Sequence, residues 1–254
     1  MNTSNIAITL ALATGLAAST AAPAQAPGTD QQQVTPFSAG KPGTKMPGGW
    51  SQLNFGTNKP ATEYTLGDEN GRIVLRAHAA AASSGLSHPV NFDVRTTPVV
   101  QWRWKISKVI PDADNRTGAK EDSPARIVLG FDGDKSKLGF KDRTASAMAK
   151  SASGRDLPYA QLAYIWSTNA PVGTVITHPH SQRVRMIVAA SGDAKAGQWV
   201  TLSRNVYDDF KRAFGEEPGP LTTVGVLTDS DNTGATVDAW YGDIRFAPAG
   251  KSAG

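Results

Sequence analysis

From Trp50 to Phe246 apolar and polar residues alternate in short runs, separated by clusters of Gly, Pro, Asn and Asp. A period of two sends successive side chains to opposite faces of a strand, so the pattern predicts an all-β domain, a two-layer antiparallel β-sandwich. The clearest runs are Ile73 to Arg76, Val100 to Ile106, Arg126 to Asp132, Gln161 to Ser167, Val184 to Ala189, Thr222 to Thr228 and Thr236 to Phe246. Two segments depart from that period. Phe140, Thr144 and Met148 recur at a spacing of four, and Tyr207, Phe210 and Phe214 sit at i, i+3 and i+7 with Gly215 placed to end a turn of helix. The expectation is a helical insertion within 132–158, a stretch too long for a plain hairpin, and one short helix over 206–214.

Strand parity sorts the side chains. Trp102, Trp104 and Ile106 share one face of their strand, opposite Gln101, Arg103 and Lys105. Ile127, Leu129 and Phe131 oppose Arg126 and Val128, while Val184, Met186 and Val188 oppose Arg183 and Arg185. Near the C-terminus Trp240, Ile244 and Phe246 oppose Tyr241, Asp243 and Arg245. If the more apolar set faces the core each time, Arg103, Lys105, Arg126 and Arg185 converge on one polar sheet face. Arginine's planar fork suits carboxylate or sulfate, so that face can hold an acidic glycan or a lipid head group. Asp122 and Asp243 border it, with Tyr241 and Trp166 as candidate stacking rings. The bland alternative is a solvated outer face whose acids, Glu121 and Asp122, pair with its arginines.

The first 26 residues carry no Asp, Glu, Lys or Arg, and an apolar run from Ile6 to Ala22 leads to Ala24-Gln25-Ala26. This is the layout of a secretory signal peptide cleaved after Ala26, and it predicts a periplasmic or secreted protein. Residues 27–49 read as a flexible N-terminal arm, 50–247 as the β-sandwich domain and 248–254 as a disordered tail. There is no cysteine, and a chain of this length buries enough core to need no disulfide. No later apolar run approaches a membrane span. The net charge of +4 is spread along the chain without a basic cluster interleaved with aromatics, which argues against nucleic acid.

Several segments resemble domain-of-unknown-function family 3047, a family of secreted bacterial proteins. They include Gln101-Trp102-Arg103-Trp104-Lys105, Lys120-Glu121-Asp122 leading to Ala125-Arg126, Leu157-Pro158-Tyr159-Ala160, and Tyr164-Ile165-Trp166. Gly192-Asp193-Ala194 with Gly197-Gln198-Trp199 and Phe214 to Pro220 continue the series, which ends with Thr228 to Gly234 leading to Trp240-Tyr241-Gly242-Asp243-Ile244. The resemblance implies a jelly-roll sandwich of the lectin and carbohydrate-binding-module type. It brings no established activity and no catalytic residues.

Chemistry-bearing motifs are sparse. Asp229-Ser230-Asp231-Asn232-Thr233-Gly234 begins like a calcium loop, yet the twelfth position is Trp240 where an EF-hand has its bidentate Glu. A β-turn explains every residue of it, with a structural calcium on Asp229, Asp231 and Asn232 as the metal alternative. His178-Pro179-His180 lacks the further ligands a metal needs and reads as a surface turn. There is no G-x-S-x-G nucleophile motif and no strand of alternating acids. The reading is a non-catalytic carbohydrate-binding or envelope-associated module with no required cofactor. The alternative is a glycan-active hydrolase or lyase using Asp and Arg on one sheet face, so enzyme status stays open.

Overall fold

The computed structural model describes residues 34–54, 59–153 and 156–250. The expected signal peptide, the start of the arm and the last four residues of the tail lie outside them.

Thirteen strands and two helices follow one another in the described residues. They are β1 (Ser51–Asn54), β2 (Glu63–Asp68), β3 (Ile73–Ala80), β4 (Ser83–Phe92), β5 (Val99–Ile106), β6 (Ser123–Phe131), α1 (Phe140–Ser153), β7 (Ala160–Ser167), β8 (Val175–Thr177), β9 (Val184–Ser191), β10 (Val200–Asn205), α2 (Val206–Phe214), β11 (Leu221–Asp229), β12 (Thr236–Tyr241) and β13 (Arg245–Ala247). One sheet has seven strands in the order β1-β4-β11-β6-β7-β9-β8. The other runs β10-β5-β12-β3-β2, with β13 also pairing β5. All pairs are antiparallel except β7 with β9. The fold is a two-sheet β-sandwich with a helical insertion and a short helix, as the patterning predicts. Within the described residues no helix is long and apolar enough to cross a membrane.

The core lies between the sheets. β5 sends Trp102 and Trp104 inward, where they meet Tyr164 and Trp166 of β7 with ring centroids 5.0 and 6.0 Å apart. Ile127, Leu129 and Phe131 of β6 and Val224 and Val226 of β11 complete this layer. α2 is set by local chemistry: Asn205 accepts a bond from the Asp208 amide at its start, and Gly215, at φ 72°, ends it in the left-handed region. Its Phe210 packs at a tilt against Phe131 of the core, with ring centroids 4.7 Å apart.

Parity misassigns two strands. In β12 the inward residues are Val237, Ala239 and Tyr241, and Trp240 points out. In β9 both faces are apolar. Ile187 and Ala189 join the main core, while Met186 and Val188 pack with Ala163 and Ile165 in a second cluster on the far side of the sheet. The parallel β7–β9 pair needs a crossover, and residues 168–183 supply it. That connection lays Ala170 and Ile176 over the outer face, which removes the alternation parity relies on.

The arm expected to be flexible is packed where it is described. Phe37 is buried and stacks on Trp50 at 4.7 Å. Gly43 and Thr44 exchange backbone hydrogen bonds with Leu66, covering the β2 edge strand that would otherwise offer unpaired groups. Polar, Pro- and Gly-rich composition hides a segment held by one aromatic anchor. Phe37→Ala should therefore lower stability by about 3 kcal/mol, read by urea denaturation. A change under about 0.5 kcal/mol would show the arm to be a passenger.

Candidate binding sites on the two sheet faces

The four cations expected on one face are divided. Arg103 and Lys105 stand on β5 in the six-stranded sheet, Arg126 on β6 in the seven-stranded sheet. Arg185, on β9, turns toward α2, where its Nε donates to the Ala213 carbonyl at 3.1 Å and its guanidinium lies 5.3 Å from the Phe214 ring. It ties the end of the helix to the sheet. Tyr241 is in the core and Trp166 is fully buried, so neither can stack on a ligand.

The outer face of the six-stranded sheet gathers Arg103, Lys105 and Asp243. Arg103 faces outward beside Thr201 of β10 and lies 4.4 Å from the ring centre of Trp199. Its stem crosses Gly242, where a Cβ would stand 2.5 Å from Arg103 Cγ, so only glycine permits this close approach. Lys105 bonds Glu69 at 2.6 Å and sits 4.2 Å from the Trp240 ring, and Arg76 approaches the same ring at 5.9 Å. Indoles and cations thus alternate along the face. Beside Arg103 a groove of about 650 Å³ opens, lined also by Arg72, Gln101, Thr201, Asp243 and Ser38. Asp243 is fixed by the Ser38 amide at 3.0 Å and hydroxyl at 2.6 Å. Neither Arg103 nor Arg72 makes an ion pair among the described residues. Burial, and then the like charge of Arg72, hold the Arg103 guanidinium below its ordinary value. An anion placed between the two would screen their repulsion and, by favouring the charged form, oppose the effect of burial.

The outer face of the seven-stranded sheet gathers the acids. Arg126 is buried, and its Nη2 donates to the Glu121 carbonyl at 2.5 Å and to Asp229 Oδ2 at 3.1 Å. Its ion-pair partners are Asp229 and, at 3.9 Å, the Glu121 expected from the sequence, but not Asp122. Asp122 instead accepts from the Asn232 and Thr233 amides and from the Thr233 hydroxyl, at 3.1, 2.8 and 2.6 Å. It caps the turn that follows β11. Asp231 pairs with Lys59, and Glu121 with His178. The Nδ1 of His178 accepts from the His180 amide, which leaves its Nε2 as the donor toward Glu121.

The chain belongs to the protein family of unknown function DUF3047. Its family model matches residues 48–245. No curated protein matches the chain in sequence. Among solved structures, the xyloglucanase domain of NopAA, a type three effector from Sinorhizobium fredii, solved in complex with cellobiose, is similar at a TM-score of 0.41 and 6% identity, over 79% of this chain and 92% of that one. The carbohydrate recognition domain of Emp47p gives 0.39 and 10%, over 87% and 96%. The family 30 carbohydrate-binding module of a Clostridium thermocellum cellulosomal cellulase gives 0.32 and 11%, over 80% and 99%.

In this DUF3047 domain, oxygens of Asp122, Asp229 and Asp231 lie within 4.8 Å of one another, the grouping that a divalent ion favours. Arg126 and Lys59 already bond two of the three carboxylates, and turn amides hold the third. Asn232 takes part through its backbone amide and through its side-chain nitrogen, which faces the Gly118 carbonyl. The cluster is also tighter than the roughly 5–9 Å that carboxylates flanking a glycosidic bond require. Sequence reasoning missed Arg72, Trp199 and Trp240 as surface residues. Trp199 follows a Gly-Gln turn with no strand signal before it, and Trp240 was placed inside by parity.

Two of the acids divide one proton. Burial raises the Asp229 carboxyl to about 8, with Asp231 and Asp122 adding to the effect against the opposing charge of Arg126. Burial would also raise Asp231, but bonds from Asp229 and Lys59 outweigh it and hold that group low. Folding therefore keeps a proton on Asp229 that the unfolded chain has released above about pH 4. The contribution of Asp229 to stability is largest at the acid end of this window and falls as pH rises from about 4 to about 8, against a smaller opposite trend from His88, which burial holds below its ordinary value. Asp229→Asn keeps the shape without the titration. From pH 5 to pH 8 the urea midpoint of the native chain should fall relative to that of Asp229→Asn. Equal slopes in the two proteins would contradict the assignment.

Proposed function

We propose that the protein is a non-catalytic module that binds acidic carbohydrate through the outer face of its six-stranded sheet, in the periplasm or outside the cell after cleavage behind Ala26. The observation that carries this reading is Arg103, a half-buried guanidinium held over Trp199, without an ion-pair partner among the described residues and beside the exposed cation Arg72. A planar carboxylate or sulfate can bridge the two with charge-assisted hydrogen bonds. Thr201, Gln101 and Ser38 add hydroxyl and amide groups of the kind that bond sugar hydroxyls, and Trp199 and Trp240 supply apolar surface for ring faces. Asp243 stands in the same groove and disfavours anions that approach from its side.

Titration calorimetry with an oligogalacturonate tests the proposal. Affinity should fall as salt rises, and Arg103→Ala should weaken it about ten- to a hundredfold, the loss of one hydrogen bond to a charged group at roughly 1.5–3 kcal/mol. The thermal melt of Arg103→Ala should stay close to the native one, because no ion pair is broken. Binding that is equal for a neutral oligoglucan, or indifferent to Arg103, would overturn the reading. A preference for anionic lipid vesicles over any glycan would move the ligand to a lipid head group.

A further inference from the structure

The seven-stranded sheet carries a groove of its own, about 300 Å³, across the middle of its outer face. Its floor is unusual for the exposed side of a sandwich. Gly225 of β11 pairs with Val128 of β6, which pairs with Ala163 of β7, which pairs with Met186 of β9. Glycine, valine, alanine and methionine in one row give a shallow, apolar trough, with Gln161 of β7 as a polar residue at its border. Val184 and Leu227 continue the apolar lining, and the His178–His180 turn forms one wall. That wall is fixed, since the His180 ring rests where a Cβ on Gly118 would lie, at 2.5 Å.

Charged groups meet the trough at one end, and each is already matched. Lys59 pairs with Asp231, and Arg126 with the Glu121 carboxylate at 3.9 Å as well as with Asp229 at 3.1 Å, while Glu121 also meets His178. A charged ligand would find no uncompensated partner there and would lose its own hydration. Three buried polar atoms of this end have no hydrogen-bond partner: the donor Nε of Arg126 and two carboxyl oxygens, Glu121 Oε2 and Asp229 Oδ1. A buried donor in that state costs free energy until an acceptor reaches it.

We infer that this groove binds a neutral, mainly aliphatic molecule that carries at one end a hydroxyl group, an acceptor toward Arg126 and a donor toward the unpartnered carboxyl oxygens. The acceptor meets Arg126 Nε, and the chain lies along Gly225, Val128, Ala163 and Met186. The volume sits at the lower bound for small-molecule sites, roughly 300 Å³. It corresponds to about ten waters, hence about ten non-hydrogen atoms. The inference is independent of the anionic site, which lies on the other sheet.

Three ligands with one tail separate the alternatives: n-octanol, n-octanoate and n-octylammonium. With methyl-labelled methionine, the Met186 resonance reports on the floor, and Met46, which does not line the groove, is the control. Titration with n-octanol should shift Met186 saturably and leave Met46 unmoved, and the two ionic heads should bind at least tenfold more weakly. Val184→Trp, at the half-buried rim, should abolish the shift while the circular dichroism spectrum stays that of the native sandwich. Val128→Phe serves the same purpose should the first variant fail to fold. No saturable Met186 shift, equal binding of an ionic head, or binding undisturbed by a folded groove-filling variant would each overturn the inference.

Discussion

Two tyrosine hydroxyls hold the sandwich together at the point where its sheet is least regular. The pairing of β11 with β6 slips between Leu227 and Asp229, which leaves backbone groups without ladder partners in the interior. Tyr241, reaching across from β12, donates to the Leu227 carbonyl at 2.8 Å and accepts from the Arg126 amide at 3.4 Å and the Thr228 hydroxyl at 2.8 Å. Tyr64, from β2, donates to the Ser84 carbonyl at 2.7 Å and accepts from the Thr228 amide at 3.2 Å. Burial drives both phenols well above their ordinary range, so they remain neutral donors at any physiological pH. Orphaned backbone groups in a protein interior cost about 1–3 kcal/mol each. The slip is tolerated because the opposite sheet supplies its missing bonds.

That slip decides what the outer face presents. Immediately beyond it Arg126 and Asp229 emerge on the same side of the seven-stranded sheet, and the Asp122-capped turn closes over them. Charge that would be free on a regular strand is internally compensated here, which leaves an apolar trough with a neutral polar end. The six-stranded sheet is built the other way. Its outward cations lean on indole rings, and Arg103 makes no ion-pair contact among the described residues, with Asp243 acting on it only across the groove. One fold therefore offers two chemically opposite surfaces.

The fold was legible because β5 alternates against a single buried face, because β6, β7 and β11 are short apolar runs bounded by turn residues, and because Asn205 and Gly215 bracket α2 with standard caps. Polar strands were not. β4 reads Ser-Ser-Gly-Leu-Ser-His-Pro-Val-Asn-Phe, a composition typical of turns, and becomes a strand only because β1 and β11 pair with both its edges. The candidate sites were half legible for a related reason. Arg103 and Asp243 share a groove as expected, while Arg126 and Arg185 went elsewhere, since parity places a side chain on a face without saying which sheet its strand joins. The assignment of Tyr241 to the surface failed because a tyrosine whose hydroxyl finds backbone partners packs inside as readily as phenylalanine.

The dependence of the fold on these hydroxyls is measurable with Tyr64→Phe, Tyr241→Phe and the double variant in urea denaturation. Phenylalanine keeps the ring and removes only the bonding atom. Each single change should cost about 1–3 kcal/mol. The pair should depart from additivity by at least about 0.5 kcal/mol, because both hydroxyls reach Thr228. Single variants within about 0.5 kcal/mol of the native chain would contradict the claim that the tyrosines complete the interrupted sheet.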